Sequence, residues 1–344
     1  MADTIPNVTK VLLFSGAGLS HPLGLPTSNG FDEIIEPEDN ELIRLLKSHL
    51  DSRFGDIEAV LSSIEELNST DNLIYKHLLQ NQSNGYFNSV KQNIDSLRNM
   101  SRLYTIELKK AVHRKLATPN IPQCESLYYN ILKEIRITIP NSAISFFTTN
   151  YDLTFEDSIG DNKILQTDLQ INEIDDGFIL SGSLIFSITK EYDWNPSVLE
   201  YKKIHGSLGW YYDARKRTTK SHAGSTPDDP DSVPILYPGF KGSPQNEPFL
   251  SLHRQFWQRL LDADYAIFMG FAFRDPYINS LIDMVLMTNH KLKMFCYNPS
   301  EIDKLPQESY IHQLIKKEPK RFTYIKKGIG IIDNPLNLKD NLKK

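Results

Sequence analysis

Apolar positions along the chain change period twice, and the changes divide it. Val11-Leu-Leu-Phe14 is a short unbroken apolar run closed by glycines, the pattern of a strand buried on both faces in a parallel sheet. From about Glu38 to Ile135 the spacing turns helical, with apolar residues three and four apart in Glu41–Leu50, Asp56–Leu67, Asn72–Leu79, about Phe87–Leu116 and Glu125–Ile135. Strand spacing returns at Ala143–Thr148 and stops at the polar turn Thr149-Asn-Tyr-Asp152. Short alternating runs such as Leu184–Thr189 follow, and Tyr201–Ile204 leads straight into His205-Gly206-Ser207. Ser221–Asp231, rich in Ser, Gly, Pro and Asp, reads as a loop or lid. Beyond it come the apolar run Ile235–Tyr237, a helix over Pro248–Leu261, a strand over Tyr265–Met269, a helix over Pro276–Met287 and a strand over Lys293–Tyr297, the rhythm of a parallel sheet.

These elements predict an α/β fold: a Rossmann-like parallel sheet with helices on both faces and a large helical insertion. Residues 1–37 and 136–344 form the discontinuous nucleotide-binding domain, and residues 38–135 the helical insertion. The lysine-rich tail from Lys339 onward is expected to fray.

Composition narrows the function. With 40% hydrophobic and 24% charged residues, the chain has enough apolar surface to bury a core. A net charge of -5 is not the footprint of a protein that neutralises many phosphates, so nucleic acid is not the expected ligand. The basic run Lys202, Lys203, Arg215, Lys216, Arg217 and Lys220 reads as a solvated face. Only Cys124 and Cys296 are present, without a Cys-x-x-Cys pair, so neither a disulfide framework nor a four-thiolate zinc site can be built, and no metal is expected. No apolar run approaches 18 residues and the N-terminus lacks a basic region followed by an apolar one, so the expectation is a cytoplasmic protein that does not engage a membrane.

Gly16, Ala17 and Gly18 sit where a strand turns toward a helix, a place where backbone N–H groups can approach a pyrophosphate. Alone, that turn reads first as a tight loop with no ligand. The ordinary dinucleotide fingerprint does not fit, because the third glycine is displaced to Gly24 and no strand ending in an acidic residue follows about 20 residues later. Asn150 and Asp152 after a strand can serve simply as helix caps, and Asp275-Pro276 reads as an N-cap with proline at the first helical position.

Taken together, the clusters carry more. Gly16-Ala-Gly-Leu-Ser20 followed by Gly24-Leu-Pro26 resembles the opening of the sirtuin superfamily. Thr148-Thr-Asn-Tyr-Asp152 resembles the family's Thr-Gln-Asn-x-Asp element, and Ile204-His-Gly-Ser207 its His-Gly element. Met269-Gly-Phe-Ala-Phe-Arg-Asp275 is similar to its Gly-(Thr/Tyr)-Ser turn, and Asn298 falls where the family places an adenosine-side asparagine. The resemblance implies an NAD+ site with Asn150, His205 and Asp152 as catalytic residues. It implies contacts to the nucleotide from Gly16, Ala17, Gly18, Ser20, Pro26, Thr149, Gly270, Phe271, Asp275 and Asn298.

Departures from the family refine the expectation. The zinc module of deacylating sirtuins is missing, Thr-Ser-Asn-Gly follows Pro26 in place of their Asp-Phe-Arg, and Thr149 replaces their glutamine. What remains suits cleavage of the nicotinamide–ribose bond with water as acceptor, giving nicotinamide and ADP-ribose. In this pattern the chain resembles sirtuin-like NAD-hydrolase effectors of bacterial anti-phage systems. Such toxicity implies a resting state controlled by oligomerisation, an inhibitory loop or a second protein; a homo-oligomer and a regulatory partner of the hexameric ATPase or short argonaute type are expected, and the helical block is the candidate assembly surface or simply a wall of the cleft. The alternatives are a protein deacylase or ADP-ribosyl transferase using the same cleavage, and a non-catalytic sensor of NAD or ADP-ribose.

Overall fold

The computed structural model describes residues 8–27, 92, 95, 121–159, 163–180, 184–187, 193–215, 217–220, 234–236, 244 and 246–343. Apart from Gln92 and Asp95, both helical, the helices expected between Glu38 and Leu116 lie outside the described residues, as does the loop Ser221–Asp231. The chain divides into two compact units, one formed by Met1–Pro26, Leu116–Leu236 and Gly242–Lys344, the other by Thr27–Lys115 with Tyr237–Lys241. All the motifs above belong to the first unit.

Its first half runs β1 (Thr9–Ser15), α1 (Ile121–Thr138), β2 (Ser142–Thr148), α2 (Thr154–Ser158), α3 (Lys163–Leu169), β3 (Glu173–Asp175), β4 (Phe178–Leu180) and β5 (Leu184–Phe186). Then follow β6 (Val198–Lys203), β7 (Trp210–Tyr212), β8 (Thr218–Lys220), α4 (Phe249–Asp262), β9 (Tyr265–Met269) and α5 (Pro276–Thr288). The last elements are β10 (Lys293–Asn298), α6 (Tyr310–Lys317), β11 (Phe322–Lys326) and α7 (Leu338–Asn341). Seven strands form one sheet in the order β11-β10-β9-β1-β2-β6-β3, parallel at every pairing. The expected α/β class with a Rossmann-like parallel sheet is what the chain adopts. A small antiparallel sheet, β4-β5-β8-β7, is built between β3 and α4 in the chain.

The unbroken apolar runs follow from burial of both sheet faces. Val11, Leu13, Ile144, Phe146, Ile267 and Phe295 point to one side, where α1 lays Cys124, Leu127, Tyr128, Ile131, Leu132 and Ile135 against them at helical spacing. Leu12, Phe14, Phe147, Phe268 and Met294 point to the other, under Leu252, Phe256 and Leu260 of α4 and Ile278, Ile282 and Val285 of α5.

Two expectations are corrected. Lys202 and Lys203 are not part of a solvated face: β6 is an inner strand, both side chains are buried, and each is paired, Lys202 with Asp175 at 2.7 Å and Lys203 with Glu156 at 2.9 Å. Arg215 and Arg217 are exposed as expected. Nor does the tail simply fray at Lys339. Leu336 and Leu338 are fully buried, and the Glu134 carboxylate accepts their amides at 2.7 and 2.5 Å. Asn341 then donates to the Tyr297 hydroxyl at 3.1 Å, so apolar anchors and one buried carboxylate hold the turn that the lysines decorate.

Candidate functional site

The chain leaves β1, moves outward through β2 and β6, and later returns to the other side of β1 as β9, which makes the carboxyl end of β1 a topological switch point. Strand register brings the motifs to one level there. Ser15 pairs with both Thr148 and Met269, Thr148 pairs with Lys203, and Met269 with Tyr297. The segments beginning at Gly16, Thr149, Ile204, Gly270 and Asn298 therefore emerge from neighbouring strand ends.

The glycine turn is locked to the turn after β9. Gly16 N donates to the Met269 carbonyl at 3.1 Å and Gly18 N to the Gly270 carbonyl at 3.0 Å. Gly270 has φ +59, and a Cβ there would lie 2.3 Å from the Leu19 nitrogen, so only glycine lets the two turns touch. Leu19 N and Ser20 N close on the carbonyls of Gly16 and Ala17. The Gly16 and Gly18 amides, expected to face a pyrophosphate, are thus engaged within the protein, and the turn presents a small-residue surface, partly exposed at Ala17, Gly18 and Gly270. Pro26, Thr149 and Asn298 are also partly exposed, Asn298 Oδ1 accepting the Ser300 amide at 2.9 Å. Phe271 is committed to an aromatic cluster, its ring centroid 4.7 Å from that of Phe14 and 4.8 Å from that of Phe273.

Beyond β2 a chain of hydrogen bonds orients Asn150. Ser15 Oγ donates to Thr148 Oγ1 at 2.8 Å, and Thr148 Oγ1 accepts the Asn150 amide at 3.0 Å. The Asn150 carboxamide donates to Ser20 Oγ at 3.0 Å, and Ser20 Oγ donates to Asp152 Oδ2 at 2.8 Å. Asp152 Oδ1 accepts from the Thr154 amide and hydroxyl at 3.1 and 2.5 Å, and Tyr128 bonds the same hydroxyl at 2.7 Å. One carboxylate oxygen therefore secures the start of α2 while the other reaches Ser20. Beneath the loop, burial and then the charges of Asp152 and Asp157 push the Cys124 thiol up to about 12, which excludes a thiolate nucleophile at neutral pH.

Lys203 is a residue the motifs do not single out. Its ammonium donates to Ser207 Oγ at 3.1 Å and to the Asp152 carbonyl, besides pairing with Glu156. It ties the loop after β2 to the loop after β6. The available signal is a lysine pair in a strand that ends in His-Gly, since a lysine on an inner strand must find partners.

His205 is almost fully enclosed, and its carbonyl accepts the Leu236 amide at 2.9 Å. Gly206 beside it has φ +94, where a Cβ would strike the Pro234 carbonyl at 2.1 Å. The imidazole Nε2 approaches Asp275 Oδ2 at 3.2 Å. Asp275 Oδ1 caps α5, accepting the amides of Tyr277 and Ile278 at 2.8 and 3.0 Å. Burial pushes the Asp275 carboxyl up, but the close approach and charge of His205, the Ile278 amide and His253 outweigh it and hold the group below its ordinary value. The His253 ring lies 5.8 Å from that of His205 at an interplanar angle of 24°. Burial first, and then the charge of His205, lowers His253 to about 4.

Among the described residues, no group of three His, Cys, Asp or Glu side chains is placed to hold a metal ion, and no helix is long and apolar enough to cross a membrane.

A family model described as the SIR2-like domain matches residues 144–317. Solved structures align with most of the chain, two Sir2 homologues among them. A substituted Sir2 homologue in complex with 2′-O-acetyl ADP ribose is 12% identical, with 96% of this chain and 92% of that chain covered at a TM-score of 0.47. A Sir2 homologue–NAD complex is 13% identical, with 97% and 90% covered at a TM-score of 0.45. No curated protein sequence matches the chain. The family match spans just over half of the sequence, from β2 through α6 and including the Asn150, His205 and Asp275 segments, and the chain belongs to the SIR2-like domain family.

Proposed function

We propose that the protein hydrolyses NAD+ at the nicotinamide–ribose bond, releasing nicotinamide and ADP-ribose, and that it acts as an NAD-depleting effector in bacterial anti-phage defence. The observation that carries this reading is one of register. Asn150 and His205 each follow by two residues the paired strand positions Thr148 and Lys203, so a carboxamide and an imidazole leave adjacent strands at one level of the switch point. In the reaction the C–N bond breaks with its electron pair passing to nicotinamide, and water forms the new C–O bond. His205 takes the proton of that water, since a neutral imidazole carries one nitrogen lone pair that can accept it.

Asn150 hydrogen-bonds the ribose or the attacking water, and Asp152 supports Asn150 through Ser20. The small-residue surface of Ala17, Gly18 and Gly270, with Gly16, Ser20, Pro26, Thr149 and Asn298 around it, borders the nucleotide; Phe271 and Asp275 shape the site from behind. A toxic hydrolase needs restraint, so the resting state is a homo-oligomer or a complex with a regulatory protein of the hexameric ATPase or short argonaute type. Residues 38–135 supply the assembly surface.

The test is product analysis of the purified chain with NAD+ alone, with an acylated peptide, and with its candidate partner. Nicotinamide and ADP-ribose formed without any acceptor support hydrolysis. Strict dependence on the acylated peptide, or unchanged NAD+ in every assembly state, sinks it.

A further inference from the structure

His205 is 1% exposed, and although Nε2 stands 3.2 Å from Asp275 Oδ2, neither ring nitrogen has a well-aligned partner among the described residues. An enclosed imidazole needs polar partners on both nitrogens to offset its lost hydration. Asp275 faces one of them, and its orientation is fixed. Oδ1 is held by the amides of Tyr277 and Ile278, so the carboxylate cannot swing from His205 without uncapping α5. From α4, His253 lies against the ring, its own Nδ1–H tied to the Phe249 carbonyl at 2.8 Å. Lys203, two residues earlier on the strand, turns its ammonium to Glu156 instead. Among the described residues, Asp275 and His253 are thus the titratable groups that pack against the imidazole.

Building on the hydrolase reading above, we infer that Asp275 is a positioning residue for His205. It holds the tautomer with Nε2–H toward its own carboxylate, which leaves Nδ1 as the nitrogen that takes the proton. When water attacks, its O–H bond breaks, the proton passes to Nδ1, and the resulting imidazolium is stabilised by the Asp275 charge until the proton returns to solvent. His253 fills the flank of the ring with a neutral partner, so no second positive charge opposes that step.

The experiment is nitrogen-15 NMR of the imidazoles in the full chain, with His205→Gln to assign the signal. The expected wild-type state is Nε2 protonated and Nδ1 free. Asp275→Asn keeps a carbonyl oxygen for the cap but offers an amide N–H to His205, so the proton moves to Nδ1. Asp275→Ser retains a cap acceptor and removes the facing group, giving a mixture of tautomers, and stands in if the asparagine variant does not fold. A proton on Nδ1 in the wild type, or one tautomer unchanged by either substitution, overturns the inference.

Kinetics add a second arm. Asp275→Asn lowers kcat by ~10²- to 10⁴-fold with KM changed by less than about threefold, and adds nothing in a His205→Ala background. A full-size further loss in that background overturns the positioning role. A tautomer that switches as expected in a chain that never cleaves NAD+ leaves the inference standing and defeats the hydrolase reading instead.

Discussion

The Ser20 hydroxyl hydrogen-bonds the Asp152 carboxylate at 2.8 Å, joining two loops that lie 132 residues apart in sequence. Because the serine proton goes to the carboxylate, its oxygen is left to accept the Asn150 amide, and the orientation of Asn150 depends on both partners.

Ser20→Ala is therefore expected to lower kcat for NAD+ cleavage by ~10-fold or more, while the lost buried hydrogen bonds cost about 1–3 kcal/mol of stability. Steady-state kinetics beside a urea titration separate the two. A variant that loses stability but keeps kcat would show that Asn150 needs no such support.

Two glycines with positive φ divide steric need from conformational preference. Gly270 (φ +59) and Gly24 (φ +83) both sit in the left-handed region, but a Cβ on Gly270 meets the Gly18–Leu19 backbone whereas one on Gly24 meets nothing within 4 Å. Gly24→Ala should cost only about 1 kcal/mol, the backbone preference alone. Gly270→Ala should cost more by at least ~1–3 kcal/mol, the range for a forced overlap in a packed region. Equal shifts in thermal midpoint for the two variants would count against the close contact of the turns.

His253 gives the folded state a pH dependence with a defined sign. Burial and then the His205 charge lower its titration from 6.5 to about 4. Between those values the unfolded chain binds a proton that the folded chain does not, so stability is complete above pH 6.5 and declines as the pH falls toward 4. Asp275 acts below that window, because its carboxyl is held under 3.8 and its contribution is lost only on further acidification. From pH 7 to pH 5 the histidine accounts for about 2 kcal/mol. Replacing His253 with Phe should shrink the difference between urea titrations at those two pH values by that amount, and an unchanged difference would refute the assignment.

What the sequence made legible was whatever burial on two faces writes into it. Val11–Phe14, Ala143–Thr148 and Tyr265–Met269 appear as unbroken apolar runs because both sides of each strand are covered, and the polar groups that follow mark where the sheet ends. The pairings behind the site were not legible. Asp275 could be read as a cap or as a site residue; one oxygen caps the α5 amides, and the other faces His205, a partner 70 residues away that no local pattern announces. Lys202 and Lys203 suggested solvent, since no local pattern announces Asp175 or Glu156 as the partner that admits a charge to an inner strand. The C-terminal turn was hidden for the same reason: its capping carboxylate, Glu134, stands 202 residues before the first amide it accepts.

Lys203 allows stability and function to be pulled apart. Its side chain is 2% exposed and its ammonium joins Glu156, the Asp152 carbonyl and the Ser207 hydroxyl, so it holds the Asn150 loop and the His205 loop to each other from below. Lys203→Met leaves Glu156 without its cation, and removing one member of a buried pair costs about 3–5 kcal/mol. Adding Glu156→Leu removes the stranded charge, and apolar replacement of both partners is close to neutral, so the double variant should regain most of that stability. It should not regain activity, because neither methionine nor leucine can hold the Asp152 carbonyl and Ser207 in place. The double variant should melt near the wild type yet turn over NAD+ more slowly by ~10-fold or more. Recovery of both properties together would reduce Lys203 to a fold contact with no part in aligning the two loops.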